Sequence, residues 1–159
     1  MKENEKYFLH PSKLVVSKQP IWVNTVLGSC VSVCIYDTEL QIGGINHFML
    51  PLWNGEGLES PRYGNIAIPR LIEELLKYGS KKNNLIAKVF GGGNILADHG
   101  ASFRVGERNV LLALHLLQEK KIPIVASSTG GNSGRKIMFN TFTGEVLQQY
   151  INKGKRYGR

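Results

Sequence analysis

Cys30 stands in the run Thr25-Val26-Leu27-Gly28-Ser29-Cys30, and His47 stands in Gly43-Gly44-Ile45-Asn46-His47-Phe48-Met49-Leu50-Pro51. A free cysteine thiol titrates near ~8.5, so little of it is thiolate at neutral pH. An imidazole beside it can take its proton and make it a nucleophile. Gly28 and Ser29 are small enough to admit a substrate. They can also expose backbone N–H groups, the donors that stabilise an oxyanion. Gly43 and Gly44 let another backbone or a substrate come close to the histidine. A lone cysteine and histidine are more often a small core residue and a structural hydrogen-bonder. The small residues around both are what favour chemistry here.

Other candidates are weaker. Cys30, Cys34 and His47 do not have the spacing of a zinc knuckle, and no fourth ligand is evident. His10, His99 and His115 follow no pattern, and His115 lies in an apolar helical stretch that suits a structural histidine. Gly91-Gly92-Gly93-Asn94 does not fit G-x-G-x-x-G, and Gly130 to Lys136 lacks the Gly-Lys-Ser/Thr of a P-loop. Both read as turns or cleft walls. No cofactor and no metal is expected.

The chain has 159 residues, 42% hydrophobic and 20% charged, which suits one domain with an ordinary core. A core of about residues 10–150 is expected, with 151–159 as a basic tail. The formal net charge of +8 comes from scattered residues apart from that tail. No nucleic-acid reader motif accompanies it, so no nucleic-acid partner is expected. The N-terminal residues are polar, with no apolar run behind them, so neither a signal peptide nor membrane insertion is expected. A reducing cytoplasm is the simplest home for Cys30 and Cys34, four residues apart and unsuited to a useful disulfide.

Strands are predicted over 13–17, 21–25, 31–36, 41–50, 85–90, 122–127, 135–142 and 145–150. Helices are predicted over 65–78 and 109–120, where apolar residues recur at helical spacing. Residues 53–63 read as a loop, and Gly79 as a helix stop. Strands cluster instead of alternating strictly with helices, which predicts α+β with mixed sheets. Cys30 and His47 then fall at neighbouring ends of a hairpin-like pair.

Taken together, several runs resemble one family. They are Leu27 to Cys34, Gly43 to Pro51, Arg62-Tyr63-Gly64-Asn65, Val89 to Asn94, Gly106-Glu107-Arg108-Asn109 and Gly130-Gly131 with Gly134-Arg135-Lys136. In this order they resemble CheD, the chemoreceptor glutamine deamidases of bacterial and archaeal chemotaxis. The resemblance implies a protein-glutamine glutaminase that converts receptor glutamines to glutamates and releases ammonia. It implies Cys30 as nucleophile and His47 as general base. The family's third catalytic residue is a threonine just upstream. Thr25 is taken for it, with Asn24 one residue closer to the aligned place. It further implies two packed mixed β-sheets flanked by helices, similar to deamidating toxin domains. The implied partners are methyl-accepting chemotaxis receptors and a CheC-type phosphatase of phosphorylated CheY. A non-catalytic adaptor for such a phosphatase is the alternative, and a protease or transglutaminase-like enzyme a further one.

Overall fold

The computed structural model describes residues 5–95 and 104–151. Among them run β1 (Lys6–Phe8), β2 (Leu14–Ser17), β3 (Trp22–Leu27), β4 (Val31–Asp37), β5 (Ile42–Asn46) and α1 (Gly64–Lys77). There follow β6 (Leu85–Gly91), α2 (Val105–Glu119), β7 (Ile124–Thr129), β8 (Arg135–Asn140) and β9 (Val146–Tyr150). His99 and most of the expected basic tail lie outside the described residues.

The strands form two sheets, ordered β1-β3-β8-β9 and β2-β5-β4-β6-β7. β1 runs parallel to β3, and β6 parallel to β7. The other neighbours are antiparallel, so both sheets are mixed. This is the expected α+β arrangement of two mixed sheets with helices. The five-stranded sheet is the middle layer. One core lies between it and the helices, built from Val31, Val33 and Ile35 against Ile68, Leu71 and Leu75 of α1. The other lies between the sheets, where Cys34 and Ile45 meet Leu27, Ile137 and Phe139. β4 is therefore buried along its whole length, its residues alternating between two cores. Each fully buried Leu or Ile contributes about 1.5–3 kcal/mol.

The glycine pair of β5 serves this layering. A Cβ on Gly43 would lie 2.8 Å from Phe139 of the facing sheet. One on Gly44 would lie 2.6 Å from Val16 and 2.7 Å from Leu71 of α1. The close approach expected at these glycines is thus sheet on sheet and helix on sheet.

Helix α1 stops as predicted at Gly79. The Ser80 N–H bonds the Leu75 carbonyl and the Gly79 N–H that of Leu76, with Gly79 at φ +104°. This is the paired bonding of a glycine C-terminus. Helix α2 starts a turn earlier than predicted. Gly106 looks like a loop residue, yet a Cβ there would lie 2.5 Å from the Gly93 carbonyl oxygen, so the helix needs glycine to dock. Its end uses the same bonding as α1, with Lys121 at φ +62° in the glycine position. That displaces the start of β7 to Ile124, two residues beyond the prediction. β1 was not predicted, since it is short and wholly exposed.

Candidate active site

Cys30 lies where the chain crosses from one sheet to the other. β3 ends at Leu27 in the four-stranded sheet, and β4 begins at Val31 in the five-stranded one. The crossing is braced by the glycine loop after β6. The Gly92 N–H donates to the Cys30 carbonyl at 2.8 Å, and the Gly93 N–H to the Gly28 carbonyl at 2.9 Å. Gly91 adopts φ +108°, and a Cβ there would lie 2.3 Å from the Cys30 carbonyl oxygen. Gly91 to Gly93 therefore wall in the Cys30 backbone.

His47 lies just past β5. Its backbone pairs with the 12–13 segment: the His47 N–H donates to Lys13 and the Ser12 N–H to the His47 carbonyl. On the other side β4 and β5 hold the register Cys34↔Ile45, and the bridge Val31↔Phe48 continues it. Residue 32 then faces residue 47, and residue 30 shares their face one diagonal step away. Diagonal neighbours on one face lie within reach of long side chains. The register thus sets Cys30 and His47 on one face of the sheet, a diagonal step apart, with no hydrogen bond from Nε2 to the sulfur.

The third expected residue arrives from the facing sheet. Thr25 is fully buried on the inner face of β3. Its Oγ1 lies 2.7 Å from His47 Nδ1 and 2.8 Å from the Leu9 carbonyl oxygen. A hydroxyl has one hydrogen, and the Leu9 carbonyl can only accept it. Oγ1 must then accept from Nδ1–H, which assigns the proton of the neutral ring to Nδ1. Nε2 keeps its lone pair and has no hydrogen-bond partner among the described residues. Asn24, the alternative, alternates to the outer face of β3, and its Oδ1 has no hydrogen-bond partner among the described residues. Geometry thus chooses Thr25 over Asn24 as the neighbour of the imidazole.

Removing that hydroxyl leaves Nδ1–H buried and unpaired, at a cost of about 1–3 kcal/mol. Thr25→Val should therefore lower kcat by about 10- to 100-fold, a tenfold loss per ~1.4 kcal/mol. A full time course of turnover at saturating substrate measures it, and an unchanged kcat would deny Thr25 any part in orienting the ring.

Burial favours the neutral form of both Cys30 and His47. Burial raises the Cys30 thiol above its usual range, against the pull of its own backbone N–H. Burial also lowers His47 from 6.5 to about 4. The thiol is half-buried and so still reachable. The resting pair is a thiol and a free imidazole, without the ionised sulfur that the sequence suggests. Cys34 is 1% exposed, and burial pushes its thiol up strongly, so it is inert packing.

The lowered His47 pKa makes a stability prediction. Between pH 4 and 6.5 the unfolded chain holds a proton on this ring that the folded chain does not. Its burial costs no charge above pH 6.5, and stability is lost as the pH falls towards 4. The loss is on the order of 3 kcal/mol in all. Urea midpoints should fall across that window, and the fall should shrink in His47→Gln. An identical pH slope in that variant would place the acid sensitivity elsewhere.

The described residues contain no group of three or more His, Cys, Asp or Glu placed to hold a metal ion. His10 stacks edge-on against Phe8, and His115, expected to be structural, is exposed on α2. One site residue was missed. Asn109 of α2 is fully buried, and its side-chain amide donates to the Ser29 and Met49 carbonyls at 3.0 Å. The visible sign is an amide on the stripe it shares with Ala113 and Leu117, where an apolar residue is expected.

Comparison with known proteins gives this geometry a family. Residues 49–150 match the family model described as CheD chemotactic sensory transduction. The chain is 51% identical over 95% of its length to a protein of Trichlorobacter lovleyi, 92% of which is covered. It is 48% identical over 95% of its length to one of Sulfurimonas denitrificans, 97% of which is covered. A third, from Rhodospirillum rubrum, is 42% identical over 92% of this chain and 82% of its own. All three are named as probable chemoreceptor glutamine deamidase CheD. The family match begins just after His47, while the relatives extend across Cys30 and Thr25 as well. The chain belongs to the CheD family.

Proposed function

We propose that this protein hydrolyses glutamine side chains of methyl-accepting chemotaxis receptors to glutamate, releasing ammonia. One observation carries the proposal. The Thr25 hydroxyl fixes the His47 tautomer and leaves Nε2 as a free base on the face that holds Cys30. The names of the relatives supply the substrate class.

The steps follow from that arrangement. His47 Nε2 takes the thiol proton as Cys30 Sγ attacks the carboxamide carbon. Both partners start neutral, so the transfer accompanies attack. The oxyanion forms beside the Cys30 backbone N–H, a donor typically worth ~3 kcal/mol. Imidazolium Nε2–H protonates the departing ammonia, leaving a thioester. Nε2 then deprotonates water, which attacks the thioester carbon, and the proton returns to sulfur as glutamate leaves. Thr25 accepts from Nδ1–H throughout and keeps the ring in place.

Mass spectrometry of receptor fragments incubated with the protein tests this. Conversion of particular glutamines to glutamate is expected. Incorporation of added amine would make it a transglutaminase instead, and unmodified receptor would reject the proposal. We extend it to a CheC-type phosphatase as partner, on the family resemblance alone. Co-elution of the two purified proteins is the expected result, and separate elution would remove that partner.

A further inference from the structure

Asn109 reaches from a helix on one side of the five-stranded sheet to the backbone beside the nucleophile. Its Nδ2 donates to the Ser29 carbonyl and to the Met49 carbonyl, both at 3.0 Å. Ser29 precedes Cys30 in sequence. Met49 stands opposite Cys30 in the register that Val31↔Phe48 sets. The amide carries two hydrogens, and both are used to tie the two strands where their ladder ends. No cis peptide bond occurs among the described residues. In a trans peptide the carbonyl and the N–H point in opposite directions. Anchoring the Ser29 carbonyl on Asn109 therefore turns the Cys30 N–H away from the helix. That N–H bears on its own sulfur. The peptide on the other side of Cys30 is held as well, since its carbonyl accepts from the Gly92 N–H.

We propose that Asn109 is a positioning residue for the reaction. It clamps the Ser29–Cys30 peptide so that the Cys30 N–H faces the reacting carbonyl and receives its developing negative charge. The inference rests on the deamidase proposal above. The same clamp explains why an amide, a poor helix former, sits on the buried stripe of α2.

Asn109→Leu keeps the shape of the side chain and removes both donors. Loss of a well-placed oxyanion donor lowers kcat by about 10²- to 10³-fold. A loss of about 10²-fold is expected, because the N–H is misaimed and still present. KM should stay within about threefold, since the donor acts on the transition state. Alkylation of Cys30 by iodoacetamide should also stay within about threefold, because that displacement forms no oxyanion. Asn109→Ser, with one short donor, serves the same comparison if the leucine variant does not fold. Unchanged kcat in a folded variant overturns the proposal. Parallel loss of turnover and alkylation overturns it too, since that marks general disruption. A parent protein that releases no ammonia from receptors overturns the deamidase proposal itself. An active parent with active Asn109 variants overturns only the clamp.

Discussion

Cys30→Ala is expected to bring ammonia release from receptor fragments down to background. The loss should be about 10⁴-fold or more, since the other sulfur, Cys34, is sealed in the core. The fold should survive. Cys30 is only half-buried, and its brace runs through backbone atoms: its carbonyl accepts from Gly92, and Ser29 accepts from Asn109. A thermal melt of the variant should therefore stay close to that of the parent. Cys34→Ala is the contrasting variant. Its sulfur packs between the sheets with Ile45 and Phe90. Truncation there costs packing, about 1 kcal/mol, and little turnover. Retained activity in Cys30→Ala, or abolished activity in folded Cys34→Ala, would exchange the roles of the two sulfurs.

His47→Gln should cost about 10³- to 10⁴-fold in kcat, because it removes the base for attack and the acid for ammonia departure at once. The effect on thiol reactivity should be small. Burial keeps His47 neutral with a pKa of about 4, so it lends the resting sulfur no positive charge. Alkylation of Cys30 near neutral pH should then be slow in the parent and change less than about threefold in the variant. This separates two kinds of cysteine enzyme. A preformed thiolate–imidazolium pair would lose alkylation and turnover together. A neutral pair loses turnover alone. Fast parental labelling that disappears with His47 would establish the ion pair and displace the concerted proton transfer derived above.

Much of this site was legible before any coordinates. Cys30 and His47 were marked as candidates by small neighbours, and their shared face followed from two adjacent strands whose alternation was plain. Choosing between Thr25 and Asn24 was harder, because the two are adjacent and either can hydrogen-bond an imidazole. The choice needed the face of β3, and its alternation becomes clear only when Val23 and Leu27 are known to be buried beside Thr25. Asn109 was missed for a different reason. Helical periodicity ranks apolar residues and passes over a buried amide, whose partners are carbonyls 80 and 60 residues away. The glycines misled in one place and guided in another. Gly79 ends a helix by its backbone angle, a local property. Gly43, Gly44 and Gly106 are required by atoms far off in the chain, which no local pattern announces.

The proposed trio is split between the two sheets: Thr25 comes from one, Cys30 from the crossover and His47 from the end of β5 in the other. A chain that has assembled only the five-stranded layer owns its sulfur and its ring but no latch to select the ring's tautomer. The proposed machinery is therefore complete only when the two layers pack and bring residue 25 against residue 47. Anything that parts the layers by a hydrogen bond's length would free the ring to rotate, and on the proposed mechanism would slow the finished enzyme about as much as Thr25→Val, without unfolding it.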